Sequence, residues 1–355
     1  MLPDILVLGG GISGLASALR LQQEGLRVTI VERNQTGRES SWAGGGILSP
    51  LLPWHYTEPV NQLCDASGRQ YSEWLVALRE DAETDPEFWP CGMRILPAAD
   101  QSVTMPDQTA CGSIHRIEQQ NNTLLMPDIA QARNSRLIRT LREAVLKRGI
   151  QLIEGSGDVR LVADQNRITH AVSATEQYQA GHYLITAGAW SNQPASFAPT
   201  SRKIEPVRGQ MLLFYRPGLL NEILFSAGTY LIPRLDGHIL AGSTLEYVGF
   251  DKSTTAAAFN QLLAQATSML PALAESPVIQ HWSGLRPGSP DNIPTISRHP
   301  SIQNLSMNAG HFRYGVTMAP AAAELITDLL LDRQSSLDAT AYQWISPPDT
   351  AYSRT

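Results

Sequence analysis

The chain has 355 residues, enough to bury a sizeable core and to form two domains. Its 43% hydrophobic and 17% charged residues are ordinary for a globular enzyme, and a net charge of −6 speaks against general binding to nucleic acid or anionic membranes. Three scattered cysteines, Cys64, Cys91 and Cys111, contain no CxxC pair and fit reduced thiols better than a disulfide framework or a zinc site. No apolar run reaches membrane-helix length and the first strand starts almost at Met1, so the expectation is a cytoplasmic protein with no membrane attachment.

In chain order, the first signal is an apolar strand, Ile5-Leu6-Val7-Leu8, running into Gly9, Gly11 and Gly14. A helix follows with Leu15, Ala18, Leu19 and Leu21, then a second strand, Val28 to Val31, that ends at Glu32. This is a dinucleotide-binding βαβ fingerprint with strand, helix and terminal acid in register. Gly9 permits the tight turn, Gly11 lets backbone approach a pyrophosphate, and Gly14 lets helix and strand pack closely. The helix N-terminus offers free N–H groups and the positive dipole end to the diphosphate. Glu32 is placed to accept hydrogen bonds from the ribose hydroxyls of an adenosine. The glycines alone leave a nicotinamide and a flavin equally open.

Next comes a small-residue loop over 37–50, with Gly44-Gly45-Gly46 beside Trp42, Ile47 and Leu48. Apolar residues inside a glycine cluster mark backbone pressed against a planar ligand rather than a linker. Periodicity predicts a helix near 58–82, an irregular stretch over 86–126 with a short strand at Arg94-Ile95-Leu96, and a helix capped by Asn134 or Ser135 and ended by Gly149. Arg133, Arg136, Arg139 and Arg142 stripe that helix and read as a solvated face. Strands follow at 150–153, 158–163, 168–173 and 182–186, the last closed by Ala187-Gly188-Ala189. Residues 204–245 read as β-structure with a hairpin turn at Leu235-Asp236-Gly237. A helix near 254–269, a loop over 283–291, a strand near 305–309 and a helix over about 317–331 complete the pattern, with Pro320 expected in that last helix's first turn. The tail beyond 346 is expected to be loosely held.

The chemistry-bearing residues lie late in the chain. Arg286 and Arg313 read as loop arginines, each able to fork a carboxylate. The last helix, starting near Gly315, can direct its positive end at the N1–C2=O edge of a flavin. There is no HExxH, no nucleophile elbow and no pair of catalytic carboxylates, and neither Asp291 nor Glu246 has an evident partner.

The N-terminal GxGxxG, Ser-Trp-Ala-Gly-Gly-Gly-Ile-Leu-Ser-Pro, Gly-Leu-Arg-Pro-Gly-Ser and Gly-His-Phe-Arg-Tyr-Gly together resemble the FAD-dependent D-amino-acid oxidase superfamily, and within it the bacterial glycine oxidases of thiamine biosynthesis. The resemblance spans about 1–335. It implies an α/β chain, α+β overall, with a Rossmann-like FAD-binding domain at 1–85, 130–205 and 285–345 and an antiparallel-sheet substrate domain at 86–129 and 206–284. It implies non-covalent FAD held at Gly9, Gly11, Ile12, Ser13 and Gly14 on the phosphates, and at Glu32 and Arg33 on the ribose. Ser40, Ser41, Gly45, Gly46 and Ile47 would line the flavin, and Val159 and Gly188 the nucleotide side. His311, Phe312, Arg313, Tyr314, Gly315, Val316 and Thr317 would wrap the flavin's pyrimidine edge.

By the same resemblance, Arg286 pairs the substrate carboxylate with Arg313 nearby, Tyr230 helps to fix it, and Leu245 stands where the family has a pocket methionine. The implied reaction is oxidative deamination of glycine, sarcosine or small D-amino acids by hydride transfer from Cα to FAD. Dioxygen is reduced to hydrogen peroxide, and the imine yields glyoxylate and ammonia or passes to thiazole synthase. The flavin, and no side chain, carries the chemistry, and a homotetramer is implied. A D-amino-acid dehydrogenase, a sarcosine-oxidase-like amine oxidase and, more distantly, a flavin-dependent tRNA-modification domain are the alternatives. Sarcosine oxidases attach flavin through a cysteine in the C-terminal half, and this chain has none after Cys111.

Overall fold

The structure is a computed structural model that describes residues 2–50, 52–98, 105–106, 116–196 and 202–344. Cys111 and the tail beyond 346 lie outside the described residues.

Two sheets organise the molecule. The first has six strands in the order Thr295–Arg298, Leu305–Ala309, His182–Ile185, Ile5–Leu8, Val28–Val31 and Gln151–Ile153. Its neighbours are parallel except the edge pair Thr295–Arg298 and Leu305–Ala309. The central strand Ile5–Leu8 is buried along its whole length, which is why it reads as an unbroken apolar run rather than an alternating one. Helix Ile12–Gln23 packs its apolar side onto this sheet, and Gly25 turns the chain back at φ +84°. Helix Glu58–Arg79 buries Val60, Leu63, Cys64, Tyr71, Leu75 and Leu78, one face at three- and four-residue spacing.

Helix Asn134–Lys147 runs as predicted and ends at Gly149, φ +73°. Its N-cap, however, is Arg133 rather than Asn134, whose amide is already engaged with the Ser41 carbonyl at 2.9 Å. Within the arginine stripe, Arg133 pairs with Glu87 and Asp236, Arg136 with Glu87, and Arg142 with Glu154.

The last helix, Gly315–Leu330, begins two residues earlier than predicted, so Pro320 lies beyond the first turn. Proline there frees the Val316 carbonyl and adds no N–H. The Tyr71 hydroxyl donates to that carbonyl at 3.0 Å, and the Ala321 N–H donates to Ser67 Oγ at 3.1 Å. Helix Glu58–Arg79 thereby repairs the gap that the proline leaves.

The second sheet has eight strands in the order Val278–Gly288, Glu205–Tyr215, His238–Gly242, Thr229–Pro233, Ile223–Ser226, Met93–Ile95, Thr123–Met126 and Glu118–Gln120. It is antiparallel but for the pair Ile223–Ser226 and Met93–Ile95. Helix Ala256–Met269, capped by Thr255 Oγ1 accepting from the Ala258 N–H at 3.2 Å, covers one face. The stretch predicted as a loop over 283–291 is instead mostly the end of strand Val278–Gly288, which runs alongside Glu205–Tyr215. Its glycines serve close packing, not turns. A Cβ at Gly284 would lie 2.4 Å from Ala43 Cβ, and one at Gly288 would lie 2.7 Å from Val207 Cγ2. Among the described residues no helix is long and apolar enough to cross a membrane.

Candidate flavin and substrate site

A single cleft of about 370 Å³ runs from the first βα turn to the long strands of the second sheet. At its nucleotide end it is lined by Gly9, Gly11, Ile12 and Ser13. Gly9 takes φ +116°, and a Cβ there would sit 2.6 Å from the Thr186 carbonyl. Thr186, passed over in the sequence, donates its hydroxyl to the Gly9 carbonyl at 2.9 Å and locks the turn against the neighbouring strand. Gly14 does not line the cleft. A Cβ on it would fall 1.9 Å from the Gly9 carbonyl oxygen, so its part is the close approach of helix to strand. The Ile12 N–H, at the helix start, donates to Ser41 Oγ at 3.0 Å.

Glu32 is buried and lines the cleft, and its carboxylate accepts the Gly10 N–H at 2.8 Å and the Asn34 N–H at 3.0 Å. Burial raises its pKa, against those two hydrogen bonds. Beside it, the Arg33 guanidinium lies 4.6 Å from the Trp190 ring centre, and Val159 and Gly188 complete this wall.

The middle of the cleft is lined on one side by Ser40, Ser41, Gly45, Gly46 and Ile47. The glycine cluster is demanded by contacts: a Cβ at Gly45 would lie 2.7 Å from Ile232 Cδ1, and at Gly46, φ +77°, 1.9 Å from the Ala132 carbonyl. Arg234, which no sequence motif singles out, is buried and donates to the Gly45 carbonyl at 2.8 Å, with Gln131 beside it. Burial pulls its pKa down to about 10, so it stays charged at neutral pH.

Across the cleft stand His311, Phe312, Arg313, Tyr314, Gly315 and Val316. His311 is buried, its Nδ1 is 3.5 Å from Ser13 Oγ, and among the described residues its Nε2 has no hydrogen-bond partner. Burial lowers its pKa to about 4, which keeps the imidazole neutral at pH 7. Thr317 sits behind this wall, donating its hydroxyl to the Ile47 carbonyl at 3.0 Å, and does not line the cleft.

At the far end Arg286 projects from strand Val278–Gly288, opposite Val207, and not from a loop. Its guanidinium lies over Gly209, where a Cβ would come within 2.3 Å of Nη1. Nη1 donates to the Thr244 carbonyl at 3.1 Å and Nη2 to Ser243 Oγ at 2.5 Å. Among the described residues it forms no ion pair with a carboxylate. Burial first, then neighbouring Arg313, lowers its pKa. Tyr230 is buried beside it, with its hydroxyl 3.5 Å from Met211 Sδ.

Leu245, expected at the pocket, is 43% exposed and absent from the cleft wall. Thr244, one residue earlier, turns inward, so extended backbone points Leu245 outward. Met211, from a different strand, supplies the apolar wall, and the sequence offered no local signal for it.

Backbone N–H groups at a helix start, an acid at the second strand's end, glycines that admit no Cβ and a neutral histidine with a spare nitrogen suit a dinucleotide ending in a flat ring. A family profile described as FAD dependent oxidoreductase (DAO) matches residues 4–329. Glycine oxidase from Pseudomonas aeruginosa is 36% identical over 354 residues, spanning 95% of this chain and 97% of the relative. The bifunctional protein ThiO/ThiG of Synechocystis is 31% identical over 355 residues, spanning 94% of this chain and 52% of the relative. The solved glycine oxidase from Bacillus cereus shares the fold, with TM-score 0.85 at 22% identity over 94% of this chain and 96% of that one. The chain belongs to the DAO family of FAD-dependent oxidoreductases.

Proposed function

We propose that the protein oxidises glycine and other small amino acids such as sarcosine at the carbon that bears nitrogen, consuming dioxygen and releasing hydrogen peroxide. The observation that carries this reading is Arg286, a guanidinium lining the cleft with no carboxylate partner among the described residues. A desolvated cation of this kind calls for an anion, and its planar fork matches a substrate carboxylate. FAD, when bound, supplies the two-electron acceptor.

The chain's own residues position and shield. Arg286 anchors the carboxylate, Arg313 adds positive charge, and the Tyr230 hydroxyl lies within the same end of the cleft. Met211 and the Tyr230 ring give an apolar wall that keeps water from the reacting carbon. Holding the substrate in one orientation lowers the barrier by several kcal/mol on the order expected of well-oriented reactants.

The fusion of a ThiO-like half to ThiG in Synechocystis supports hand-over of the imine to thiazole synthesis. The reading also includes a cytoplasmic homotetramer and two units, each built around one sheet, with boundaries near 85, 130, 205 and 285.

The test is an anaerobic titration of the yellow protein with glycine, sarcosine and D-alanine, followed by air. Bleaching by glycine, recovery in air and one peroxide per glycine are expected. Bleaching without recovery in air would identify a dehydrogenase, and bleaching by D-alanine alone a different substrate class.

A further inference from the structure

Arg286 does not hold its own position. Its terminal nitrogens rest on the Thr244 carbonyl and the Ser243 hydroxyl, with Tyr230 as a further neighbour, so segment 243–246 helps to set where the guanidinium sits. That segment is fastened at Glu246. Glu246 Oε1 accepts from Thr244 Oγ1 at 2.5 Å and from Gln210 Nε2 at 2.8 Å, while Oε2 accepts from Arg208 Nη2 at 2.6 Å. The main chain closes the same joint. The Arg208 N–H donates to the Glu246 carbonyl and the Glu246 N–H to the Arg208 carbonyl, each at 2.9 Å. Thr244 Oγ1, which donates to Glu246, also accepts the Gln210 N–H at 2.9 Å, so its hydroxyl orientation is fixed at both ends.

Arg208 is only 4% exposed, and its other terminal nitrogen pairs with Asp251 at 2.6 Å. An ionic cluster with one buried and two partly exposed members is weak as a source of stability. Its value here lies in geometry: it holds Thr244 in one place, and Thr244 carries Arg286.

We propose that Glu246 is a positioning residue for Arg286, acting through Thr244 to set the affinity of the cleft for a substrate carboxylate. The inference rests on the reading of Arg286 as the carboxylate anchor. It makes the contribution of Glu246 one of binding: the residue touches neither substrate nor cofactor, and its loss leaves the reacting atoms alone once substrate is bound.

The experiment uses FAD-loaded protein and the variant Glu246→Gln, which keeps size and one acceptor oxygen but removes the charge that holds Arg208. Glycolate, a carboxylate without an amine, is titrated against the flavin absorbance, and KM and kcat are measured for glycine and for glycine ethyl ester, which has no carboxylate. Glycolate Kd and glycine KM are expected to rise about tenfold, with glycine kcat and ester KM within about twofold of wild type. Glu246→Asp is expected to recover part of the loss.

A glycolate Kd unchanged in Glu246→Gln, or an ester KM that rises in step with glycine KM, overturns the proposal. If Glu246→Gln does not retain FAD, Thr244→Val severs the same link and carries the same expectations. If the wild-type protein binds no glycolate, the carboxylate reading of Arg286 falls, and the role of Glu246 falls with it.

Discussion

The two ends of the cleft are built from different materials. The nucleotide end and the middle are made largely of backbone: the helix start at Ile12 offers its N–H, and Gly9, Gly45 and Gly46 have no side chain where one would collide. The substrate end is made of side chains that four separate segments bring together: Met211, Tyr230, Ser243 and Arg286. A site made of backbone tolerates many side chains around it but no added atom within it. One made of side chains fails by truncation and by loss of support.

That contrast is sharpest when the two ends are broken separately. The largest effect is expected from Gly14→Ala. Its new methyl would meet the Gly9 carbonyl, and relieving the clash costs ~3 kcal/mol or more. FAD affinity should fall on the order of 100-fold, read by flavin fluorescence on titrating apoprotein; a variant that binds FAD normally would show that this turn has slack.

Arg286→Leu comes next. With charge-assisted hydrogen bonds worth roughly 1.5–3 kcal/mol each, glycine KM should rise on the order of 100-fold while FAD content stays at the wild-type level. Joint loss of FAD and substrate binding would mean that the two ends are not separable.

The smallest effect concerns the first sheet itself. His182, whose Nε2 lies 2.9 Å from Ser306 Oγ, has its pKa lowered to about 4, mainly by burial. A histidine depressed in the folded state adds stability that is present above its unfolded value near 6.5 and is lost as pH falls toward 4. His311 acts in the same window and in the same direction. Thermal melts of wild type and His182→Phe between pH 7 and 4.5 should show a decline in wild type that is shallower, by a few degrees, in the variant. Parallel curves would remove His182 from the acid response.

The same difference of material decides what could be read beforehand. The nucleotide end was legible because a glycine requirement is local: strand, Gly9, Gly11, Gly14, helix and Glu32 lie within one βαβ unit. The runs from Ser40 to Ile47 and from His311 to Val316, which the cleft draws on, are likewise local in sequence.

The substrate end depended on sheet register, which no local pattern reveals. Leu245 was placed in the pocket, yet register and alternation turn it outward and bring in Met211. Arg286 was found, but Gly284 and Gly288 disguised its strand as a loop, since glycine that serves close packing reads like glycine that serves a turn. Glu246 looked partnerless because Arg208 and Gln210 reach it only across the sheet. Arg234 gave no signal at all, because holding the Gly45 carbonyl is a tertiary task.

The order of strands in the six-stranded sheet has a bearing on biosynthesis. Strand Ile5–Leu8, the earliest of this sheet in chain order, ends up in the middle, beside a partner at His182–Ile185 that in turn pairs with Leu305–Ala309. The wall of the cleft from His311 to Val316 is later still. Contacts so distant in sequence form slowly, and strands Ile5–Leu8 and Val28–Val31 present apolar edges until their later neighbours are made. The cleft is therefore incomplete until residues 311–316 have joined strands synthesised some three hundred residues before them.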